Sequence, residues 1–418
     1  MRRTLLLLLA GVLLATAGEP ARAGGFQVTQ LSARSLGLGD GGFASLGEPV
    51  MLHDNPALMG FLTGTAFSFG TTIVMPDTRF TPDGSQGTKM VNQSIFPPNG
   101  SLAHNFGSFA IGISASIPFA MNSEWDESWI GALDAVRSDF RIVLVSPGVS
   151  WSPAHNLAIG AALNIGFPRL QLSHRFNISA PGTGTGLVSF DGSGASAFGA
   201  TVGLLFRPTK GLSVGLSYMS RMGMDIDRGT VSYSELPDSL TGSYPQTTAT
   251  FSLSTPDILR GGLALRVFPW LSLEASAQYA FWSSLRDLTI RYPEAALKAD
   301  PTLWTAIPLG WKNSWTIHGG IELGFDDVVL RGGYIYDQTP MPDGTFLPSL
   351  PDADRRGFSI GLGYFVSEGL RLDFGYQYLQ FLDRSIAPAQ DANSRSLPAG
   401  KYTTTWTVVG INVSYFWN

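Results

Sequence analysis

The chain contains no cysteine, so neither a disulfide framework nor a thiolate metal site is available to it. It has little charge: Asp, Glu, Lys and Arg make up 14% of its residues, against roughly 25% in an ordinary soluble protein. The net charge of −5 lacks the basic excess that nucleic-acid binding needs, so no nucleic-acid partner is expected. Histidine occurs only at positions 53, 104, 155, 174 and 318. None stands in an H-E-x-x-H or other paired ligand spacing, so no metal or cofactor is expected. After the first residues, no apolar run reaches the roughly 18 residues that a spanning helix requires.

What is present begins with "MRRTLLLLLAGVLLATAGEPARA". Arg2 and Arg3 form a positive start, Leu5 to Ala17 an apolar stretch, and Ala21-Arg22-Ala23 a small-x-small cleavage site. That order reads as a secretory signal peptide over residues 1–23, with a mature start at Gly24. Losing its three Arg and one Glu would take the formal charge from −5 to −7.

Period-2 alternation recurs along the rest. In the terminal "TVVGINVSYFWN", Val409, Ile411, Val413, Tyr415 and Trp417 share one side, and Val408, Gly410, Asn412, Ser414 and Phe416 the other. "GLSVGLSYMS", "LSLEASAQYAFW" and "GLRLDFGYQYLQ" behave alike. Tight turns at "NFGS", "SPAHN", "RPTKG", "FPW", "GFDD" and "VSEG" alternate with long polar or Pro/Gly-rich connections. Short turns on one side and long loops on the other are the pattern of a transmembrane β-barrel. A soluble sandwich alternates too, but here the polar face is mostly Gly, Ser, Gln and Asn, as a lumen requires. The expectation is an all-β fold, a fourteen-stranded antiparallel barrel in the Gram-negative outer membrane, with strands from about Thr65 to the end. The last strand must pair with the first, because an open edge in lipid leaves backbone groups unsatisfied at several kcal/mol each.

Residues 24–62 do not alternate. Asn55 as N-cap and Pro56 at the first helical position open a short helix, and the segment's apolar residues favour a packed plug over a disordered leader. Its Gly37-Leu38-Gly39-Asp40-Gly41-Gly42 matches G-x-G-x-x-G, but no strand leads into it. The expected organisation is signal peptide 1–23, plug 24–62 and barrel 63–418.

"GGFQ" at 24–27, "NPA" at 55–57, "SASIPFAMNSEW" at 114–125 and "GGYIYDQTPMPDG" with "LPDADRRGFSIGLGY" across 332–364 together resemble the FadL-type long-chain fatty-acid transporters of Gram-negative outer membranes. The similarity covers essentially the whole mature chain. It implies a barrel closed inside by an N-terminal hatch, and passive uptake of fatty acids or other hydrophobic compounds with sideways release into outer-membrane lipid. In such a protein Gly24, Gly25 and Phe26 would reach the ligand. Asn55, Pro56 and Ala57 would abut an inward kink of the third strand at Ile117, Pro118, Phe119 and Ala120. Pro118 lacks the N–H that a strand ladder uses. Arg175 matches the family's carboxylate-binding Arg-Phe pair. The family's second cation, a Lys before the tenth strand, falls in the apolar "TLWTAIPLGWK", with only Lys312 nearby; this departure admits neutral ligands such as alkanes or aromatics. Trp125, Trp129 and Leu133 recur at i, i+4, i+8, one stripe of a short outer helix expected to serve as a landing site for greasy substrate. The aromatic-rich last strand resembles the signal for the barrel assembly machinery, although Asn418 follows it. The expected state is a monomer.

A general porin and an outer-membrane barrel enzyme such as a lipase are the alternatives, with a structural or adhesive barrel as a third. Gly211-Leu212-Ser213-Val214-Gly215 matches G-x-S-x-G, but it lies in an alternating strand without the turn into a helix that makes a nucleophile elbow. No catalytic residue is expected.

Overall fold

The computed structural model describes residues 24–45, 52–83, 86–91, 94–178, 184–194, 196–294, 306–387 and 398–417; the expected signal peptide lies outside them. Fourteen antiparallel strands form one closed barrel, as the alternation predicts. In chain order they are β1 (Thr65–Pro82), β2 (Pro98–Asn105), β3 (Phe109–Glu124), β4 (Arg137–Ala154) and β5 (Leu157–Asn177). Five interrupted strands follow: β6 (Thr185–Ser193 and Ala197–Thr209), β7 (Leu212–Met219 and Gly223–Ser234), β8 (Thr247–Ser254 and Ile258–Phe268), β9 (Leu271–Ala280 and Asp287–Arg291) and β10 (Ala306–Pro308 and Ser314–Phe325). The last four are β11 (Val328–Asp337), β12 (Arg355–Phe365), β13 (Leu370–Phe381) and β14 (Gly400–Trp417).

Neighbours in sequence pair in space, and β14 pairs with β1 from Thr65↔Trp417 to Pro82↔Gly400. That register is why the chain stays a strand to its end: the terminal residues close the ring. The tight turns read from the sequence fall where expected, between β2 and β3, β4 and β5, β6 and β7, β8 and β9, β10 and β11, and β12 and β13. Gly107, at φ 104°, takes the turn between β2 and β3 through a conformation that L side chains resist.

The two faces separate as the pattern requires. On β14, Ile411, Val413, Tyr415 and Trp417 are exposed while Asn412 and Ser414 are buried. On β13, Phe374, Tyr376 and Tyr378 are exposed while Asp373 and Gln377 are buried. Apolar side chains therefore form the outer, lipid-facing surface and polar ones face inward.

Part of the inward polar surface pairs with itself and with the N-terminal segment. Ser32 caps α1 (Ala33–Gly37) by accepting from Ser35 N. The Ala33 amide donates to Asn412 Oδ1 at 2.8 Å, and Thr72 Oγ1 donates to the Gln30 carbonyl at 2.9 Å. α1 lies flat on the wall because Gly375 has no side chain: a Cβ there would stand 2.5 Å from the Ala33 carbonyl oxygen. Behind α1, charges alternate. Arg331 pairs with Glu322 and Asp373 at 2.8 and 2.7 Å, Arg371 pairs with Asp373 at 2.7 Å, and Arg34 reaches Glu322 at 3.3 Å. Each of these carboxylates meets two cations, which buried charge demands.

Candidate functional site

β3 is where the wall departs from regularity. Its ladder to β2 runs only from Asn105↔Ala110 to Gly100↔Ala115. On the β4 side, Ser116 faces Leu144 and Phe119 faces Ile142, so β3 spends three residues where β4 spends two. The surplus falls at Ile117-Pro118, a β-bulge that keeps both Ser116 and Phe119 buried. Pro118 brings no amide hydrogen to this stretch, so the bulge costs one ladder bond fewer than it would elsewhere.

Beyond Ala115 the place of β2 is taken by the start of the described chain. Val28 N donates to the Pro118 carbonyl, and Ala120 N to the Phe26 carbonyl, both at 2.9 Å. Gln27 stands opposite Phe119 in antiparallel register. Gln27 and Gln278 exchange reciprocal amide hydrogen bonds of 3.1 and 2.8 Å. The Gly25 amide donates to Asp352 Oδ2 at 3.1 Å. Burial pushes the Asp352 carboxyl up to about 6, against the opposing pull of Arg355 and the Thr339 hydroxyl.

Phe26 is the hub of this seat. Its ring meets Trp282 at 4.8 Å, Phe140 at 5.4 Å, Trp311 at 5.7 Å and Phe119 at 6.0 Å between centroids. The same ring lines an apolar cavity on the lumen side, about 690 Å³ of empty space counted together with its opening to solvent. Met121 of β3, Phe140 of β4, Leu170 and Leu172 of β5, Phe251 and Leu253 of β8, Ile307 of β10, Trp311 and the 346–350 stretch complete its wall. Among the described lining residues the only charged side chain is Asp134.

The expected site residues divide. Gly24, Gly25 and Phe26 are buried beside Ile117, Pro118, Phe119 and Ala120, and Phe26 reaches the cavity. Asn55, Pro56 and Ala57 do not abut the bulge. Asn55 caps the short helix Pro56–Phe61 through Ala57 N, as read, but that helix packs against β5, β4 and β6. A Cβ on Gly160 would stand 2.3 Å from Ala57 N, and one on Gly203 would stand 2.1 Å from Asn55 Oδ1. The close approach that glycine permits at those two positions decides where the motif sits.

Arg175 is paired within the chain rather than solvated. Its guanidinium is held between Glu127 and Glu235 at 2.9 and 2.8 Å and also donates to the Glu127 carbonyl. Lys312 is exposed, and neither it nor Arg175 lines the cavity. Trp125 and Trp129 do not form a surface landing site. Residues 127–134 are turns rather than helix. The two indoles stack at 4.3 Å, are buried, and donate to the Pro348 and Ala135 carbonyls. Leu133 and Ile130 are the apolar groups that this loop exposes. The cavity itself was not marked in the sequence, because its lining comes one or two residues at a time from strands far apart in the chain.

The sequence profile of a family described as "Outer membrane protein transport protein (OMPP1/FadL/TodX)" matches residues 14–417. The chain is 24% identical to outer membrane protein P1 of Haemophilus influenzae over 89% of each chain. It is 23% identical to the long-chain fatty acid transport protein of Salmonella typhi over 88% of this chain and 90% of that one. The crystal structure of a Pseudomonas aeruginosa FadL homologue superposes with a TM-score of 0.84 at 22% identity, covering 94% of this chain and 100% of that one. That likeness shows a shared fold.

Proposed function

Because the chain belongs to the outer membrane protein transport protein family (OMPP1/FadL/TodX), we propose that it admits long-chain fatty acids or other hydrophobic compounds passively and releases them sideways at β3. It is an integral outer-membrane protein of a family of transporters, not of enzymes. The observation that carries the reading is the position of Phe26. One ring separates the apolar cavity from the stretch of β3 that has no β2 partner. Phe26–Val28 stand between that cavity and β3, held by backbone bonds at Pro118 and Ala120 and by the Gln27–Gln278 amide pair.

Residues 24–62 act as the hatch and 63–418 as the barrel. The energetics favour a dry route. Each CH₂ that enters water from an apolar site loses roughly 0.8 kcal/mol, so a path from cavity to lipid through the wall avoids a cost that an axial aqueous path would impose. Displacing Phe26–Val28 opens that path without disturbing the β1/β14 closure.

The test is uptake by cells that depend on this protein. Deleting Pro118 removes the surplus residue of the bulge and leaves Ser116 and Phe119 both inward. The deletion variant should assemble in the membrane yet take up a long-chain fatty acid or alkane at close to background rate. Wild-type uptake by that variant would refute sideways release. Steady ion conductance of the wild-type protein in a planar bilayer would instead favour an open pore.

A further inference from the structure

Away from the cavity, the outer face of the wall carries a charged patch that transport does not use. Arg356 of β12, Gln380 of β13, Thr405 of β14 and Asp77 of β1 stand opposite one another in successive ladders and form one outward row. Toward the tight turns the outward side chains below this row are apolar: Phe358 and Ile360 are each 65% exposed, with Tyr376 and Tyr378 beside them. From Tyr415 up to Thr405, β14 rises about 25 Å at the tilt of a barrel strand, the height of the apolar band. The row therefore lies where hydrocarbon ends, on the side of the long loops, at the level of the outer-leaflet headgroups. The charges there do not balance. Arg356 is exposed and donates to Gln380 Oε1 at 3.1 Å, and among the described residues no carboxylate pairs with it. Asp77 is shared by Lys89 at 2.8 Å and Arg79 at 3.6 Å, and Lys401 meets Asp383 at 2.6 Å. Asp83 lies past the end of β1, farther from the lipid. On β4 and β5, by contrast, Arg137 and Arg169 each face a carboxylate of their own, Glu124 and Asp191.

We propose that this patch binds an outer-leaflet glycolipid whose headgroup carries two phosphates, its acyl chains lying on Phe358, Ile360, Tyr376 and Tyr378. Arg356 takes one phosphate through its planar fork of donors. Lys89 neutralises Asp77, which leaves Arg79 to take the other. Arg356 and Asp77 are three strand spacings apart along the row, about 14 Å. A disaccharide with a phosphate at each end bridges that span, and a headgroup with one phosphate does not. The patch is remote from the β3 bulge, so its failure would leave the transport reading standing.

The experiment is native mass spectrometry of the full-length processed protein, titrated in detergent with bisphosphorylated lipid A, monophosphorylated lipid A and phosphatidylglycerol. The bisphosphorylated lipid should bind about tenfold tighter than the monophosphorylated one, the scale of one charge-assisted hydrogen bond. Arg356→Gln and Arg79→Gln should each erase that difference. Both side chains are exposed, so both variants should keep the folded band on gels. Arg141→Gln is the control: it removes an exposed cation of β4, two residues from Asp139, and should bind as wild type does. Equal binding of the two forms of lipid A to wild-type protein would overturn the proposal, as would phosphatidylglycerol binding as tightly as the bisphosphorylated lipid. A loss in Arg141→Gln as large as in Arg356→Gln would assign binding to overall charge and overturn the patch. Absence of saturable binding by every probe would overturn it outright.

Discussion

Two seams of the wall carry the same chemistry to opposite ends. Between β1 and β14 the ladder is unbroken, eighteen residue pairs from Thr65↔Trp417 to Pro82↔Gly400. Between β2 and β3 it stops after six, at Gly100↔Ala115, and Phe26–Val28 stand in for the missing strand through two backbone bonds. In hydrocarbon an unpaired backbone group costs several kcal/mol, so the long seam can part only with loss of the barrel. On the proposed route the short one would part by moving a segment that is not part of the wall. The barrel is thus closed by a strand at one seam and in part by the N-terminal segment at the other, and the proposed place of opening lies where the ladder ends.

The largest expected effect comes from breaking the long seam. Val408 is buried on β14, between Val74 of β1 and Gln377 of β13. Val408→Pro removes a ladder donor and adds a ring clash, a cost of about 3 kcal/mol or more by the measure of proline inside regular structure. The folded, heat-modifiable band on SDS gels should disappear. Ala120→Pro makes the matching change at the short seam, where the lost amide served only the Phe26 carbonyl. That variant should keep its folded band; equal loss of the band in both would erase the distinction between the seams. A smaller effect is expected of Pro118→Val. The surplus residue stays, so the bulge persists, but the restored amide lets β3 straighten in part. Uptake should fall severalfold short of the deletion's loss, with the barrel intact.

The strands, their two faces and the closing role of the last one were legible because alternation and tight turns are local signals. An irregularity at Pro118 was expected from the family resemblance, as an inward kink; its form as a β-bulge shows only in the register of β3 against β4. What escaped depends on register between distant strands. Arg175 is matched to the family's cation by its sequence neighbours, yet its charge is answered by Glu127 and Glu235, 48 and 60 residues away. The spacing of Trp125 and Trp129 fits a helical stripe, but consecutive turns stack the same residues, and the ring partners Phe80 and Tyr402 come from β1 and β14. Asn55-Pro56-Ala57 was read correctly as a helix start. Its seat was not, because Gly160 and Gly203 become a groove only after β5 and β6 are side by side.

The seams should differ in local stability as well. Phe26→Ala removes a ring that packs on Phe119, Phe140, Trp282 and Trp311. Protection of the Val28 and Ala120 amides against hydrogen exchange should fall by about tenfold or more, while β14 amides hold theirs. Unchanged protection at Val28 would mean that the backbone bonds, not the ring, seat the segment.

The subtlest contrast is pH. Asp40 belongs to the N-terminal segment, and its Oδ2 accepts from Gln30 Nε2 at 2.7 Å, Thr29 Oγ1 at 3.0 Å and Gln377 Nε2 at 3.2 Å. Burial nevertheless raises its carboxyl to about 6 from an ordinary 3.8. A carboxyl raised on folding holds its proton more tightly in the folded state. Its stabilisation is complete below the unfolded value and is lost as pH climbs through about 6. Exchange around α1, corrected for the intrinsic pH dependence of the amides, should therefore quicken as pH rises from about 4 to 7. The β1/β14 seam serves as internal reference. Asp40→Asn keeps a neutral acceptor and cannot ionise, so it should flatten that slope without touching the reference. A slope that persists in the asparagine variant would assign the pH response to another group, and the segment would then be held by packing rather than by the protonation of Asp40.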